Sequence, residues 1–217
     1  VAKIYYAKKR PDYEAKIHAM LKVKYKRPNK NQYDFAWPEK LILNSKKAFV
    51  GFTMPSFGEG WIDLEDIMQA AEAESEFKIG EKDRLIIAEN LARGVNKLHS
   101  LHVHCIDLKP QNVRVNLKKN TLAIIDCDGM SVVDLSVKKG KRYHGLDSTP
   151  EYWAPENANR KPSNLVDEEA HDRFALAVII FTLLNRGIHP YMGSMSFEIE
   201  GAETISGKIR NGLYPYA

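Results

Sequence analysis

The run FALAVIIFTLL, Phe174–Leu184, is the longest strongly apolar stretch of the chain. Eleven helical residues rise only about 16 Å, roughly half of a bilayer's hydrocarbon core, so the run reads as a buried core helix rather than a membrane span. A helix that is apolar all round needs neighbours on every side. The chain's 217 residues, 44% hydrophobic and 28% charged, are enough to supply them in one domain or one domain in two lobes. The same balance excludes disorder. Net charge is +4, from 32 basic against 28 acidic residues. That suits an acidic ligand such as a nucleotide, but the lysines are too dispersed to predict nucleic-acid binding. The opening VAKIYYAKK has charges inside its apolar run, so no signal peptide is visible. Cys105 and Cys127 give neither a disulfide framework nor zinc-ligand spacing, which predicts a reducing, cytoplasmic setting.

Texture changes along the chain. VAKIYY reads as a strand, and YEAKIHAMLKVKY as a helix with Ile17, Met20 and Leu21 on one face. FAWPEKLILN and KAFVGFTMP read as two strands about the turn NSKK, and Pro55, Gly58 and Gly60 mark a loop. DLEDIMQAAEAE and EKDRLIIAENLARGVNKLHSL then read as helices. The second has Leu85, Ala88, Leu91, Ala92, Val95 and Leu98 at helical spacing. NVRVN and TLAIID form a hairpin about LKKN, residues 129 to 150 read as irregular, and helices return over 167–184 and 204–210. A strand-rich start followed by a mostly helical remainder predicts an α+β fold.

Between the long helix and the hairpin lies HVHCIDLKPQNVRV, with an acid, a lysine and an asparagine in the order D-x-K-x-x-N. IDLKPQN resembles the catalytic loop of protein kinases. VAKIY resembles their third strand, AIIDCDG stands where D-F-G is expected, and STPEYWAPE resembles the end of the activation segment. HDRFALAVIIFTLL resembles the long buried helix whose early aspartate braces the loop. The likeness covers nearly the whole chain. KIYY…EAKIHAML, AWP…FVGFTMP and IRNGLYPY look like a bacterial branch found beside helix-hairpin-helix or von Willebrand-type modules.

The resemblance implies a two-lobed kinase-like fold, with a small β-rich N-lobe over residues 1–57 and a helical C-lobe over 58–217. It implies Asp107 and Lys109 as catalytic residues and Asn112 and Asp126 as Mg²⁺ ligands, with Mn²⁺ as an alternative ion. ATP would be met by Val1, Lys3, Glu14, Met54 and Arg114, with Glu14 pairing Lys3. Thr149 and Glu156 belong to the activation segment, and Asp172 is the brace. A glycine-rich loop should precede VAKIY, and further helices should follow LYPYA, so the chain reads as a fragment of a longer protein.

Departures weigh against full activity. The loop's His-Arg is Cys105-Ile106, which removes the arginine that would pair a phosphorylated activation segment. D-F-G is D-C-D, with Asp128 a second carboxylate near the metal or a turn former. Arg114 replaces an aliphatic floor beneath adenine; it could stack on the base, fill the pocket or turn outward. Cys105 and Cys127 should lie close together, as buried hydrophobes or as a redox-sensitive pair. His99, His102 and His104 lack the spacing of a zinc site. The expected function is ATP- and Mg²⁺-dependent phosphoryl transfer to Ser/Thr hydroxyls of a protein substrate, by a monomeric domain binding neither membrane nor nucleic acid. The alternative is a catalytically impaired pseudokinase acting as a binding or allosteric module, and transfer of another nucleotide-derived group is a third reading.

Overall fold

The computed structural model of the protein describes residues 1–25, 32–69, 79–194 and 199–214. In chain order the first half contains β1 (Ala2–Ile4), α1 (Arg10–Lys22), β2 (Tyr33–Phe35), β3 (Lys40–Leu43), β4 (Phe49–Thr53), β5 (Ile62–Asp63), α2 (Leu64–Gln69) and α3 (Glu81–His99). The second half contains β6 (Val103–His104), β7 (Val113–Asn116), β8 (Thr121–Ile124), β9 (Ser131–Asp134), β10 (Lys141–Tyr143), α4 (Glu168–Leu184) and α5 (Ile205–Arg210). The strands make three sheets, ordered β1-β4-β3, β10-β9-β6 and β2-β8-β7-β5. The α+β class predicted from the sequence is the observed one.

The first sheet is antiparallel throughout, with Lys3 opposite Phe52 on β4. Val1 and Met54 extend that ladder by exchanging backbone hydrogen bonds of 2.8 and 2.9 Å. The NSKK turn closes because Asn44 Oδ1 accepts from the N–H groups of Lys46 and Ala48, while Lys47 takes a left-handed conformation. FAWPEKLILN is not one strand. Its β2 part pairs in parallel with β8, and its β3 part joins β4. Pro38, with no N–H to donate, stands between the two.

α1 starts three residues earlier than the sequence pattern predicts. Pro11 fits its first turn, where a missing N–H costs nothing. Its inward side carries Lys16, Ile17, Ala19 and Met20, a stripe with a lysine in it. On α3 the buried stripe runs through Arg84, Ile87, Ala88, Leu91, Val95 and Leu98, whereas Leu85 is 58% exposed. The sequence reading therefore set the start of the stripe one residue off. Arg84 occupies the core side because its Nη1 donates to the carbonyl of Leu183 at the end of α4 (2.8 Å).

α4 is capped by Asp167, whose Oδ1 accepts from Glu169 and Ala170 N–H groups. Most of its circumference is covered, leaving Arg173, Ala177 and Leu184 exposed among the described residues. No helix among those residues is long and apolar enough to cross a membrane. The stretch 129–150 is more ordered than its sequence suggests: β9 and β10 lie in it, β10 pairing with β9 and β9 with β6. The second half of DLEDIMQAAEAE, from Ala70 on, lies outside the described residues, as does the end of IRNGLYPY.

Gly51 on β4 marks a close backbone approach. A Cβ there would stand 2.0 Å from the carbonyl oxygen of Lys3. Gly51→Ala should therefore cost about 2–4 kcal/mol in urea unfolding, whereas Gly58→Ala, with only Ser56 Oγ at 3.7 Å, should stay within about 0.5 kcal/mol.

Candidate active site

The loop between β6 and β7 is suspended from α4. Asp172, fully buried, accepts the backbone N–H groups of Cys105 (2.6 Å) and Ile106 (2.8 Å), and Nε2–H of His99 donates to it at 2.9 Å. The neighbouring His171 donates from Nε2 to the carbonyl of Ile106 at 3.0 Å. Its Nδ1 faces the N–H of Ala154 and the amide of Asn157, both at 3.4 Å. Burial pushes the His171 pKa down, consistent with a neutral ring that donates on one side and accepts on the other. Two adjacent residues of one helix thus hold both backbone groups of Ile106.

Directly after this anchor, Asp107, Lys109 and Thr149 form a triangle. Thr149 Oγ1 donates to Asp107 Oδ1 (2.6 Å), and Lys109 Nζ lies 2.7 Å from Asp107 Oδ2 and 2.9 Å from Thr149 Oγ1. Asn112 Nδ2 donates to the carbonyl of Asp107 at 3.0 Å, which leaves its amide oxygen as an acceptor. Asp107, Asn112 and Asp126 line one cavity, together with Cys105, Gly129 and Asp147. Sequence reasoning had no role for Asp147, and nothing in the motifs marks it.

Lys3 is held differently from the sequence expectation. Its Nζ lies 2.7 Å from Asp126 Oδ1 and 2.7 Å from Asp128 Oδ1, and Glu14 is exposed on α1 without an ion pair to it. Asp128 is 2% exposed, and its second oxygen accepts from Tyr5 Oη at 2.5 Å. Burial works to lower the Lys3 pKa, but the charges of Asp128 and Asp126 outweigh it and the net shift is upward. The pair that fixes the lysine therefore lies within D-C-D itself. Geometry explains the change, because α1 turns Lys16, not Glu14, towards this region. Lys16 is 2% exposed and donates to the carbonyl of His144 at 3.1 Å. Contact with α1 is completed by Tyr5 stacked on Tyr13, centroids 4.3 Å apart.

Arg114 and Asp63 face each other across the β5–β7 pair, with Nε 2.8 Å from Oδ1. The N–H is not aimed at that oxygen, so Asp63 Oδ1 has a charge partner but no hydrogen bond among the described residues. Cys105 and Cys127 are buried free thiols, and burial pushes both well up in pKa, away from the reactive thiolate. His99 and His104 bind the carboxylates Asp172 and Glu168. Among the described residues no group of three His, Cys, Asp or Glu side chains would hold a metal unaided. Asn112 and Asp126 nevertheless fit a hard cation that takes one or two protein oxygens and completes its shell with phosphate and water. The exposed Asp126 carboxylate and the free Asn112 oxygen are the donors that chemistry requires.

Lys16 gives this arrangement a pH signature. Burial lowers its pKa from 10.5 to about 8, against the opposing charges of Asp128, Asp126, Asp147 and Glu168. Between those two values the unfolded chain holds a proton that the folded chain has released, so this residue's contribution to stability rises with pH. The stability difference between wild type and Lys16→Met, followed by urea unfolding from pH 7 to 10.5, should move in favour of wild type as pH passes about 8. A difference independent of pH would contradict a buried, titrating amine.

Residues 42–209, well over half of the chain, match the protein kinase domain family. The chain is 30% identical over 124 residues to death-associated protein kinase 2 of Homo sapiens, covering 55% of this chain and 31% of that protein. It is 31% identical over 142 residues to serine/threonine-protein kinase H2 of Homo sapiens, covering 63% and 32%. With serine/threonine-protein kinase 17A of Oryctolagus cuniculus the identity is 29% over 130 residues, covering 59% and 30%. The matches thus span about a third of the length of these relatives. The chain therefore belongs to the protein kinase domain family.

Proposed function

We propose that the protein transfers the terminal phosphoryl group of ATP to Ser or Thr hydroxyls of a protein substrate, with Mg²⁺ or Mn²⁺ as cofactor. The observation that carries this reading is the Asp107–Lys109–Thr149 triangle standing beside Asn112 and Asp126. Phosphoryl transfer asks a protein mainly for positioning and charge compensation. Metal-bound ATP supplies the phosphoryl group and part of that compensation. Asp107 orients the acceptor hydroxyl and takes its proton, Lys109 offers a positive charge beside it, and Thr149 fixes the Asp107 carboxylate. Asn112 and Asp126 hold the cation, and Lys3 orients phosphate oxygens while anchored on Asp128. The likeness to serine/threonine kinases supports Ser/Thr as acceptor. We place the boundary between the two lobes at residues 57 and 58, in the loop after β4.

The full-length protein should bind ATP in the presence of Mg²⁺ and phosphorylate itself or a Ser/Thr peptide. Asp107→Asn should lower kcat about 10²–10⁴-fold with ATP affinity within a factor of a few. ATP bound by both proteins without any transfer would replace this reading by a pseudokinase. Lys3→Met and Asp128→Asn should each lower kcat/KM for ATP, and the double variant should be no worse than Lys3→Met alone. Additive losses would show that Asp128 does not act through Lys3.

A further inference from the structure

A second cavity opens one residue from the catalytic triangle. Ser148 and Pro150, on either side of Thr149, line it together with Trp153, Ile209, Arg160 and Arg210. Its volume is about 230 Å³, several times the roughly 30 Å³ that one liquid water occupies. The wall is apolar where Pro150, Trp153 and Ile209 meet, and Trp153 and Ile209 are buried. Among the described residues the only charged ones lining it are the two arginines, both exposed, and neither has a carboxylate within ion-pair distance there. Arg160 makes one long bond, 3.4 Å, to the carbonyl of Asn164. Arg210 sits in the last turn of α5, where its charge favours the helix end while its guanidinium stays in solvent. Glu156 lines an adjoining cavity with Arg160 without pairing to it.

Two guanidinium groups without a carboxylate partner among the described residues, set over an apolar floor, form a receptor for an anion on an otherwise uncharged backbone. Thr149 touches Asp107, so a chain with its hydroxyl at Asp107 reaches this cavity within one to three residues, at about 3.3–3.6 Å each. We propose that the cavity selects substrates bearing an acidic side chain, carboxylate or phosphate, within three residues of the phosphorylated Ser or Thr. This rests on the kinase reading for its acceptor site but names a property of a separate surface.

The test is fluorescence anisotropy with the full-length protein and labelled serine peptides of neutral sequence. One position within three residues of the serine, scanned on both sides, carries Glu, phosphoserine, Ala or Lys. At the preferred position the acidic peptides should bind about tenfold more tightly than the alanine peptide, and the gap should shrink with added salt. A larger gain from phosphoserine than from Glu would identify a phosphorylated substrate, and the reverse an acidic one. The double variant Arg160→Ala, Arg210→Ala should bring all peptides within about twofold. Arg160→Glu with Arg210→Glu should favour the lysine peptide, and both arginines are exposed, so folding should be unaffected. Equal binding of acidic and neutral peptides, no measurable binding, or a preference surviving in the arginine variants would overturn the proposal. Phosphorylation of the alanine peptide tests the kinase reading separately, since binding is read without turnover.

Discussion

Ile106 is a β-branched residue at φ 64°, a conformation that costs about 1–3 kcal/mol and persists only when its surroundings fix it. Asp172 takes its N–H and His171 its C=O, both from the buried face of α4. The apolar run that follows those two residues is therefore more than filler. It seats α4 deeply enough that a carboxylate and an imidazole can work away from water, where each hydrogen bond counts for more. The direction in which Asp107 leaves the loop follows from that strained residue. So does the path of the segment above it, because a Cβ on Gly145 would meet the Ile106 side chain at 2.7–2.8 Å.

With isoleucine at this position, the segment over the loop is held by other charges. Arg142 of β10 reaches Glu168 at the start of α4 and also donates to Ser131 of β9 (3.1 Å), and His104 joins the same carboxylate at 2.9 Å. Burial opposes ionisation of Glu168, but the bonds from His104 and Ser131 and the charge of Arg142 hold its pKa near 2. The segment is thus tied to the start of α4 by a charged cluster built from Glu168, Arg142 and His104. Lys16 extends the network to α1 through the carbonyl of His144. α1 is joined to the segment by this lysine and to the end of β1 by the stacked Tyr5–Tyr13 pair, while Glu14, expected to pair Lys3, stays exposed.

Much of this was legible in the sequence, and the failures share a cause. D-x-K-x-x-N is local, so its spacing suffices to bring Asp107, Lys109 and Asn112 together. The α3 stripe and the NSKK turn were readable for the same reason. The partner of Lys3 was not, because 123 to 125 residues separate the groups and the choice between Glu14 and Asp128 depends on the rotation of α1. A lysine in a helix reads as polar surface, and nothing in YEAKIHAML announces that Lys16 points inward. β9 and β10 were missed because short strands in a charged segment lack the alternation that marks a half-buried sheet. β9 is the middle strand, held on one side by β10 and on the other by β6, a partner that the sequence does not place beside it.

The D-C-D segment divides two tasks that a single aspartate would have to share. Asp126 takes a left-handed conformation at φ 59°, and its side chain is 43% exposed. Water and ligands can reach it, so its bond to Lys3 is exchangeable. Asp128 is 2% exposed and held on its far oxygen by Tyr5, whose own pKa is raised by burial and by that carboxylate. Removing Asp128 from Lys3 would leave a buried charge half-satisfied, which is far costlier than freeing an exposed one. One carboxylate is thus a buried anchor for the lysine, and the other stays open to solvent. Cys127, small and fully buried, stands where D-F-G has a bulky residue, and Asp128 follows it at 2.7 Å from Lys3. The altered motif reads as a rearranged support for Lys3 rather than as the loss of one.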